Sequence, residues 1–530
     1  MNKVLLLAIN ARYTHSNLAV RYLRNFTCDL DYKIKIKELS INQPFWKILD
    51  TIYNEDPDVV AISVYIWNSK IVKSILTEIK KILKNVKIVL GGPEVSYNPN
   101  SWLESFSAID YIVSGAGEAA FRYLLKNNLN LTEQIIRRAN PKLNQIPFPY
   151  INKDLNELEH KYIYYEASRG CAFKCSYCIS SRFEQKLELR SFEKVKTELN
   201  FLIAHKPKII KFVDRTFNIK QFSHDIWEFL LKKEGDTKFH FEIHPQLLTE
   251  KDFNILKKCP PDRFQFEIGI QTTNRRSIKA INRKQKWEKI ASLIKRLISL
   301  KNIHIHLDFI AGLPWEDMES TKRSINDIYQ LKPDNFQLGF LKVLPGTEMM
   351  QKQNEYELQF LQDAPYQVLQ NKWLSYNELQ KIRKIEQMIN TFYNSRRYST
   401  FIEELENEFE TPFEMYSALS EFENSTFVKN KKNWQKNSKD LIAFIKVNFS
   451  QKVDFFLDCL RWDWCKIASA HYYPDHLQDP ILTKAKKMGY PYVKALIKAD
   501  EIVISKNRIK LTHLKKAIFF QPISKSFEEK

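Results

Sequence analysis

Residues 1–130 alternate continuous apolar runs with stretches of helical period. Lys3–Ile9 is such a run, and Lys33–Leu39, Asp58–Val64, Val86–Leu90 and Tyr111–Val113 are the further strands expected. Unbroken apolar runs of this length predict parallel strands buried on both faces. Between the first two, Leu18, Val20, Leu23 and Phe26 repeat at helical spacing behind Ser16, the expected N-cap. Further helices are expected near Phe45–Tyr53 and Ile71–Leu83. Five strands with crossover helices predict an open, doubly wound (Rossmann-like) sheet, whose ligand crevice lies at the carboxyl ends of the strands. Gly91-Gly92-Pro93-Glu94 follows the fourth strand and Ser114-Gly115-Ala116-Gly117-Glu118 the fifth. No Gly-x-Gly-x-x-Gly is present, which argues against a dinucleotide.

A connector with Pro141, Pro147 and Pro149 covers 131–160, and a second alternating block follows. Its strands are expected at Tyr162–Ala167, Ile209–Val213, Lys238–Ile243, Arg263–Ile270, His304–Ile310 and Asn335–Leu341. Six βα units are too few for a complete eight-stranded barrel and predict a partial (β/α)6 TIM barrel, with its functional groups at the C-terminal strand ends. Past 350 the pattern turns helical, as in Tyr376–Tyr393 and Phe401–Phe409. The α/β chain therefore divides into a doubly wound domain (1–135), a linker (136–160), a partial barrel (161–350) and a helical C-terminal domain (351–530). In the last, Trp462, Trp464, Tyr472 and Tyr473 are expected mainly in the core, with contacts at the barrel mouth as the alternative.

The net charge of +20 would suggest nucleic acid if it were concentrated, but it is spread along the chain. Its one dense stretch, Arg275, Arg276, Lys279, Arg283, Lys284, Lys286 and Lys289, reads as a solvated helix face and the loop beside it. A nucleic-acid partner is not required. No apolar window reaches the roughly 18 residues of a membrane span. The run Val4–Ile9 is also short for a signal peptide and lacks a small-residue cleavage site. Seven cysteines, three of them close together, do not form a secreted disulfide framework and point to the reducing cytoplasm.

Those three are Cys171, Cys175 and Cys178, in Arg169-Gly170-Cys171-Ala172-Phe173-Lys174-Cys175-Ser176-Tyr177-Cys178, directly after the first barrel strand. Thiolates are the natural ligands of iron–sulfur clusters. A four-iron cube held by three cysteines keeps one iron open, as a cluster that binds substrate needs. Gly170 gives the backbone freedom to turn around a bulky group, and Phe173 and Tyr177 can shield it from water. A zinc site would need a fourth ligand nearby, and Cys28, Cys259, Cys459 and Cys465 are remote in sequence.

With this motif the chain resembles the radical S-adenosylmethionine (SAM) superfamily over residues 160–350. The resemblance implies a 4Fe–4S cluster on Cys171, Cys175 and Cys178, with SAM on the open iron, cleaved reductively to a 5′-deoxyadenosyl radical. The SAM contacts it implies are Tyr177 in the cysteine loop, Asp214 after the second strand and Glu242 at the end of the third. Glu267 and Gln271 flank the Gly-Ile of the fourth, and Gly312, Leu313 and Pro314 follow the fifth.

A doubly wound domain ahead of such a barrel resembles the cobalamin-binding radical SAM group. With the helical tail, the chain resembles its DUF4080-type members. The cobalamin-binding residues implied are Asn10, Tyr13, His15, Gly91, Gly92, Pro93, Ser114 and Gly115. Many cobalamin proteins carry Asp-x-His-x-x-Gly after the first strand. Here His15 is in register for the lower cobalt ligand, but Tyr13 replaces the Asp that orients it and Leu18 the Gly. The expected activity is methyl transfer to an unactivated carbon of an unknown substrate, with an electron donor such as flavodoxin or ferredoxin. The alternatives are radical oxidation, cyclisation or rearrangement without methyl transfer, and non-catalytic binding of cluster and corrinoid. Methylthiolation of tRNA fits poorly, because residues 1–150 hold a single cysteine, Cys28.

Overall fold

The computed structural model describes residues 2–181, 187–219, 222–422, 433–467, 474–477 and short strand segments between 493 and 529. Two compact units divide the chain. The first holds residues 1–306, 312–316 and 340–373, and the second holds 307–311, 317–339 and 374–530.

The first unit begins with the doubly wound sheet. Its strands are β1 (Asn2–Asn10), β2 (Tyr32–Ser40), β3 (Val59–Ser63), β4 (Lys87–Gly91), β5 (Tyr111–Val113) and β6 (Ile135–Ile136), in the order β2-β1-β3-β4-β5-β6. All of these pairs are parallel. The sixth strand was not expected. Two residues carry too little pattern to announce a strand, and β6 forms by pairing with β5 across the space the connector was predicted to fill. Helices cover both faces of the sheet and bury two apolar clusters. Leu5, Leu7, Ile62 and Leu90 lie in one, and Leu6, Ala8, Val89 and Phe121 in the other.

Helix Leu18–Phe26 starts one residue later than expected. Asn17, not Ser16, is its N-cap and accepts from the Val20 amide at 3.2 Å. Ser16 Oγ instead donates to the Tyr162 carbonyl at 2.6 Å. It thereby fastens the loop after β1 to the first barrel strand, a partner that a local capping argument could not see.

The barrel strands fall at the expected places: β7 (Ile163–Tyr165), β8 (Ile209–Phe212), β9 (Lys238–Glu242), β10 (Phe264–Gln271), β11 (Ile303–Ala311) and β12 (Asn335–Phe340). Within the first unit β7, β8, β9 and β10 pair in parallel in chain order. One face of these strands is apolar and buried, through Ile210, Phe212, Phe239, Phe241, Phe264 and Phe266. The alternate positions, Tyr164, Lys211, His240, Glu242 and Glu267, are polar and line a cavity. A packed parallel barrel ordinarily fills its interior with branched apolar side chains, so the polar lumen marks the face that works.

The second unit is helical over most of its described length, with helices Met318–Tyr329, Tyr376–Met388, Ser399–Leu405, Pro412–Glu421, Trp434–Asn448 and Val453–Ile467. Short antiparallel strand pairs between 493 and 529 add to this helical part. The fully buried Asp463 carboxylate accepts the amides of Thr400 and Phe401, both at 3.0 Å, and so caps helix Ser399–Leu405. Trp462 is buried and Trp464 packs on Trp434 with ring centroids 4.8 Å apart, both core roles. Tyr472 and Tyr473 lie outside the described residues. Among the described residues no helix is long and apolar enough to cross a membrane.

Candidate functional site

A cavity of about 690 Å³ opens in the first unit, walled on one side by the strand ends of the doubly wound sheet and on the other by the barrel interior. Its size suits a small molecule or part of a large cofactor.

On the sheet side it is lined by Asn10, His15, Gly91, Gly92, Pro93 and Gly115, six of the eight residues expected there. Of the other two, Tyr13 is 66% exposed and off the wall. Ser114 is buried behind the wall, where its hydroxyl donates to the Ser96 carbonyl at 3.1 Å. Two glycines shape the surface. At Gly115 (φ 89°) a Cβ would meet nothing within 4 Å, so the backbone itself faces open space. Gly92 has φ 105°, and a Cβ there would lie 2.5 Å from the Val64 carbonyl oxygen. Gly92→Ala is therefore expected to cost about 1–3 kcal/mol from backbone strain alone and to push the loop off Val64. The corrinoid retained after desalting should fall while iron content stays at the wild-type level.

His15 Nδ1 is hydrogen-bonded to the Tyr164 hydroxyl at 2.6 Å, and its ring stacks on that of Tyr164. The partner that position 13 does not supply thus comes from β7. Burial, Lys211 and Arg12 lower its pKa and favour the neutral imidazole that binds metals. Beside it Trp67, 42% exposed, stacks on Tyr65 at 4.4 Å and presents an indole to the cavity.

On the barrel side the cysteine loop follows Gly170, which has φ 94°. Cys175 is buried, and Cys171 and Cys178 are half-buried. Burial pushes the Cys175 thiol up, and the Arg283 guanidinium opposes that shift. Arg283 Nη1 donates to Cys175 Sγ at 3.7 Å and to the Tyr177 hydroxyl at 3.5 Å, and Nη2 donates to the Gly269 carbonyl. It therefore departs from the solvated face expected of its basic stretch, because the loop after helix Arg275–Ala280 folds back onto the cysteines. Phe173 stacks on His244 with centroids 4.6 Å apart. Both His244 ring nitrogens are buried without a partner, and burial, with Arg283, lowers its pKa to about 3.

No three His, Cys, Asp or Glu side chains among the described residues converge as the ligands of a single ion do. A cubane takes each thiolate on a different iron, so its ligands stand apart. Three thiols on one loop, close enough to influence one another and backed by a cation, suit such a group.

The residues expected to contact SAM separate into four places. Glu242 and Glu267 line the cavity in register across β9 and β10. Burial would raise the Glu267 pKa, but His240, paired with it at 3.0 Å, together with the charges of Lys211 and His306, keeps it low. Burial raises the Glu242 pKa against the pull of Arg215, 3.7 Å away. Tyr177 lies in the cysteine loop, and Gln271, at the end of β10, has φ 71° and a buried, unpartnered Oε1. Gly312 (φ 85°), buried Leu313 and Pro314 form a loop held to the end of β10, because the Thr272 hydroxyl donates to the buried Glu316 carboxylate at 2.8 Å. Asp214 differs from the others. Its fully buried carboxylate accepts the Ala167 amide and the Ser168 hydroxyl, and burial raises its pKa to about 7. It braces the entry to the cysteine loop, and its neighbours Val213 and Arg215 reach the cavity.

One residue connects the two walls. Arg169 Nη2 donates to Glu118, in the first turn of helix Gly117–Lys126 after β5, at 2.7 Å, and Arg169 also grips Glu166 through two bonds of 2.9 and 2.8 Å. Sequence reasoning passed over Arg169, Arg283, His244 and Lys211. Lys211 left a signal, a lone charge inside the apolar run Ile209-Ile210-Lys211-Phe212.

Comparison with known proteins agrees with this geometry. Residues 4–125 match the B12 binding domain, 165–328 the radical SAM superfamily and 354–530 a protein family of unknown function, DUF4080. Among curated proteins the chain is 24% identical over 328 residues to the cobalamin-dependent radical SAM methyltransferase TokK of Streptomyces tokunonensis, covering 56% of this chain and 48% of TokK. It is 26% identical over 403 residues to an uncharacterized methyltransferase of Pyrococcus horikoshii, covering 70% and 83%. The match thus spans about half the length of TokK. Among solved structures it is similar to the cobalamin-dependent SAM radical enzyme OxsB (TM-score 0.60, 16% identity, 92% of this chain and 80% of that one). It is also similar to the radical SAM methyltransferase TsrM of Kitasatospora setae (TM-score 0.55, 17% identity, 66% and 77%). By its domain matches the chain carries a B12-binding domain ahead of a radical SAM domain, with a tail that matches DUF4080.

Proposed function

We propose that this chain is a cobalamin-dependent radical SAM methyltransferase acting on an unactivated carbon. The observation that carries the reading is the single cavity shared by the glycine loops after β4 and β5 and the polar barrel interior. A corrinoid seated on the sheet would there face a substrate in the barrel. When bound, the cluster and corrinoid supply one-electron cleavage of SAM and carriage of a methyl group.

The chain's own residues do the rest. Cys171, Cys175 and Cys178 would hold the cluster, and Arg283 sets a positive charge against the buried Cys175 sulfur. Tyr177, Glu242, Glu267, Gln271 and Gly312–Pro314 are the candidate SAM contacts, and Asp214 supports the cysteine loop from behind. Asn10, Gly91, Gly92, Pro93 and Gly115 would let the corrinoid approach the backbone. His15, oriented by Tyr164, is the candidate lower ligand. A low-potential donor of the flavodoxin or ferredoxin type is the partner this chemistry requires, and a reducing cytoplasm suits its thiols.

The test is anaerobic preparation with cobalamin supplied, then quantification of corrinoid, iron and the products of SAM in reduced protein. S-adenosylhomocysteine formed alongside 5′-deoxyadenosine is the expected result. 5′-Deoxyadenosine alone would move the assignment to a radical oxidation or rearrangement, and no cleavage at all would sink the enzymatic reading.

A further inference from the structure

Strand register brings Tyr164, Lys211 and His240 side by side on the cavity face, with Glu242 and Glu267 two residues further along. The carboxylates and cations of this wall are nearly all matched. Glu166 is held by Arg169, Glu242 faces Arg215 and Glu267 takes His240. Lys211 is the exception. Among the described residues its ammonium makes no hydrogen bond or ion pair, and its nearest support is the face of the Tyr162 ring, 5.0 Å away. Glu267 and Glu242 are close enough to influence it, but burial prevails and lowers its pKa. His15 and His306 also feel its charge. Lys211 is half-buried on this wall, and a partly desolvated cation without a bonded counter-charge is less favourable there than a methionine or leucine of similar volume. A ligand that brings the missing anion would relieve it.

We propose that Lys211 anchors an oxyanion of the substrate, a carboxylate or a phosphate, so that the methyl acceptor is an anionic molecule held in the barrel lumen. This rests on the reading of the cavity as the place where substrate meets cofactors. The lumen rewards a ligand with two poles, an anion at Lys211 and a hydrogen-bond donor toward Glu242.

The test uses cluster-reconstituted, cobalamin-loaded protein, titrated with inorganic phosphate or acetate at ionic strength fixed by chloride, with the unfolding midpoint as readout. A ligand of the native state raises that midpoint saturably. The wild type should show a saturable rise with at least one of the two anions, Lys211→Arg should keep it, and Lys211→Met should need at least ten-fold more anion. A response to phosphate alone assigns a phosphorylated substrate, and a response to acetate alone a carboxylic acid. Three results would overturn the proposal: no response beyond chloride in the wild type, an unchanged response in Lys211→Met, or a response confined to cobalamin-free protein. The last would assign Lys211 to the cofactor's own phosphodiester. 5′-Deoxyadenosine formation in the same wild-type preparation reports on the radical reading independently, so each idea can fail alone.

Discussion

Cys175→Ala is expected to abolish iron binding at the cysteine loop and to cut 5′-deoxyadenosine formation by at least about 10⁶-fold, the lower end of enzymatic rate enhancement. Of the three thiols Cys175 is the buried one, and Arg283 gives it a cationic hydrogen-bond donor at 3.7 Å. Its loss leaves two ligands, too few to hold a cluster with one open iron, and no other cysteine motif is at hand to replace it. The protein should still fold, because alanine fits the space of a small buried thiol. Cys259→Ala is the matched control. That thiol is also buried, with a pKa that burial raises to about 12, but it lies between helix Glu250–Leu256 and β10. Its iron content and SAM cleavage should equal wild type. Full SAM cleavage by Cys175→Ala would remove the basis for assigning the cluster to this loop.

Arg169→Gln should be the most destabilising single change in the site. Arg169 serves Glu118 and Glu166 together, and both carboxylates lie in a largely buried setting. Burial alone would raise the Glu118 pKa, and the guanidinium outweighs it and holds the carboxylate ionised. Removing one partner from a buried ion pair costs about 3–5 kcal/mol, because the remaining charge is left uncompensated. Lys352→Ala, which breaks the half-exposed pair with Glu348 on one helix face, should cost no more than about 0.5 kcal/mol. Arg169→Lys should fall between, since an ammonium restores the charge but cannot grip Glu166 through two parallel bonds. Denaturant unfolding measures all three. Because Arg169 ties Glu118, at the start of the helix after β5, to Glu166 just ahead of the cysteine loop, corrinoid and iron should be lost together, whereas Gly92→Ala should lose corrinoid alone. Equal stability of Arg169→Gln and Lys352→Ala would show that the triad contributes little.

The local patterns were sufficient wherever the chemistry is local. Unbroken apolar runs announced β1, β3 and β4, since a strand buried on both faces has no polar position to spare. The spacing of Cys171, Cys175 and Cys178 marked the candidate cluster loop, since three closely spaced thiolates can ligate one cube. Glycines after β4 and β5 marked a surface that something approaches closely. Tertiary structure alone decided which distant groups meet. Tyr164 stands in for the carboxylate missing at position 13, and it lies 149 residues from His15. Ser16 left the helix it was expected to cap for the Tyr162 carbonyl. Arg283, in a stretch that composition marks as solvated, came back 108 residues along the chain to Cys175. Asp214 was spent on bracing the loop. Hydrogen bonds and ion pairs between remote segments carry no periodic signature, because their partners are chosen by the packing of whole elements. The cysteine spacing marked the candidate cluster loop, and the fold showed what lines the cavity: Lys211, a half-buried charge with no bonded counter-ion among the described residues.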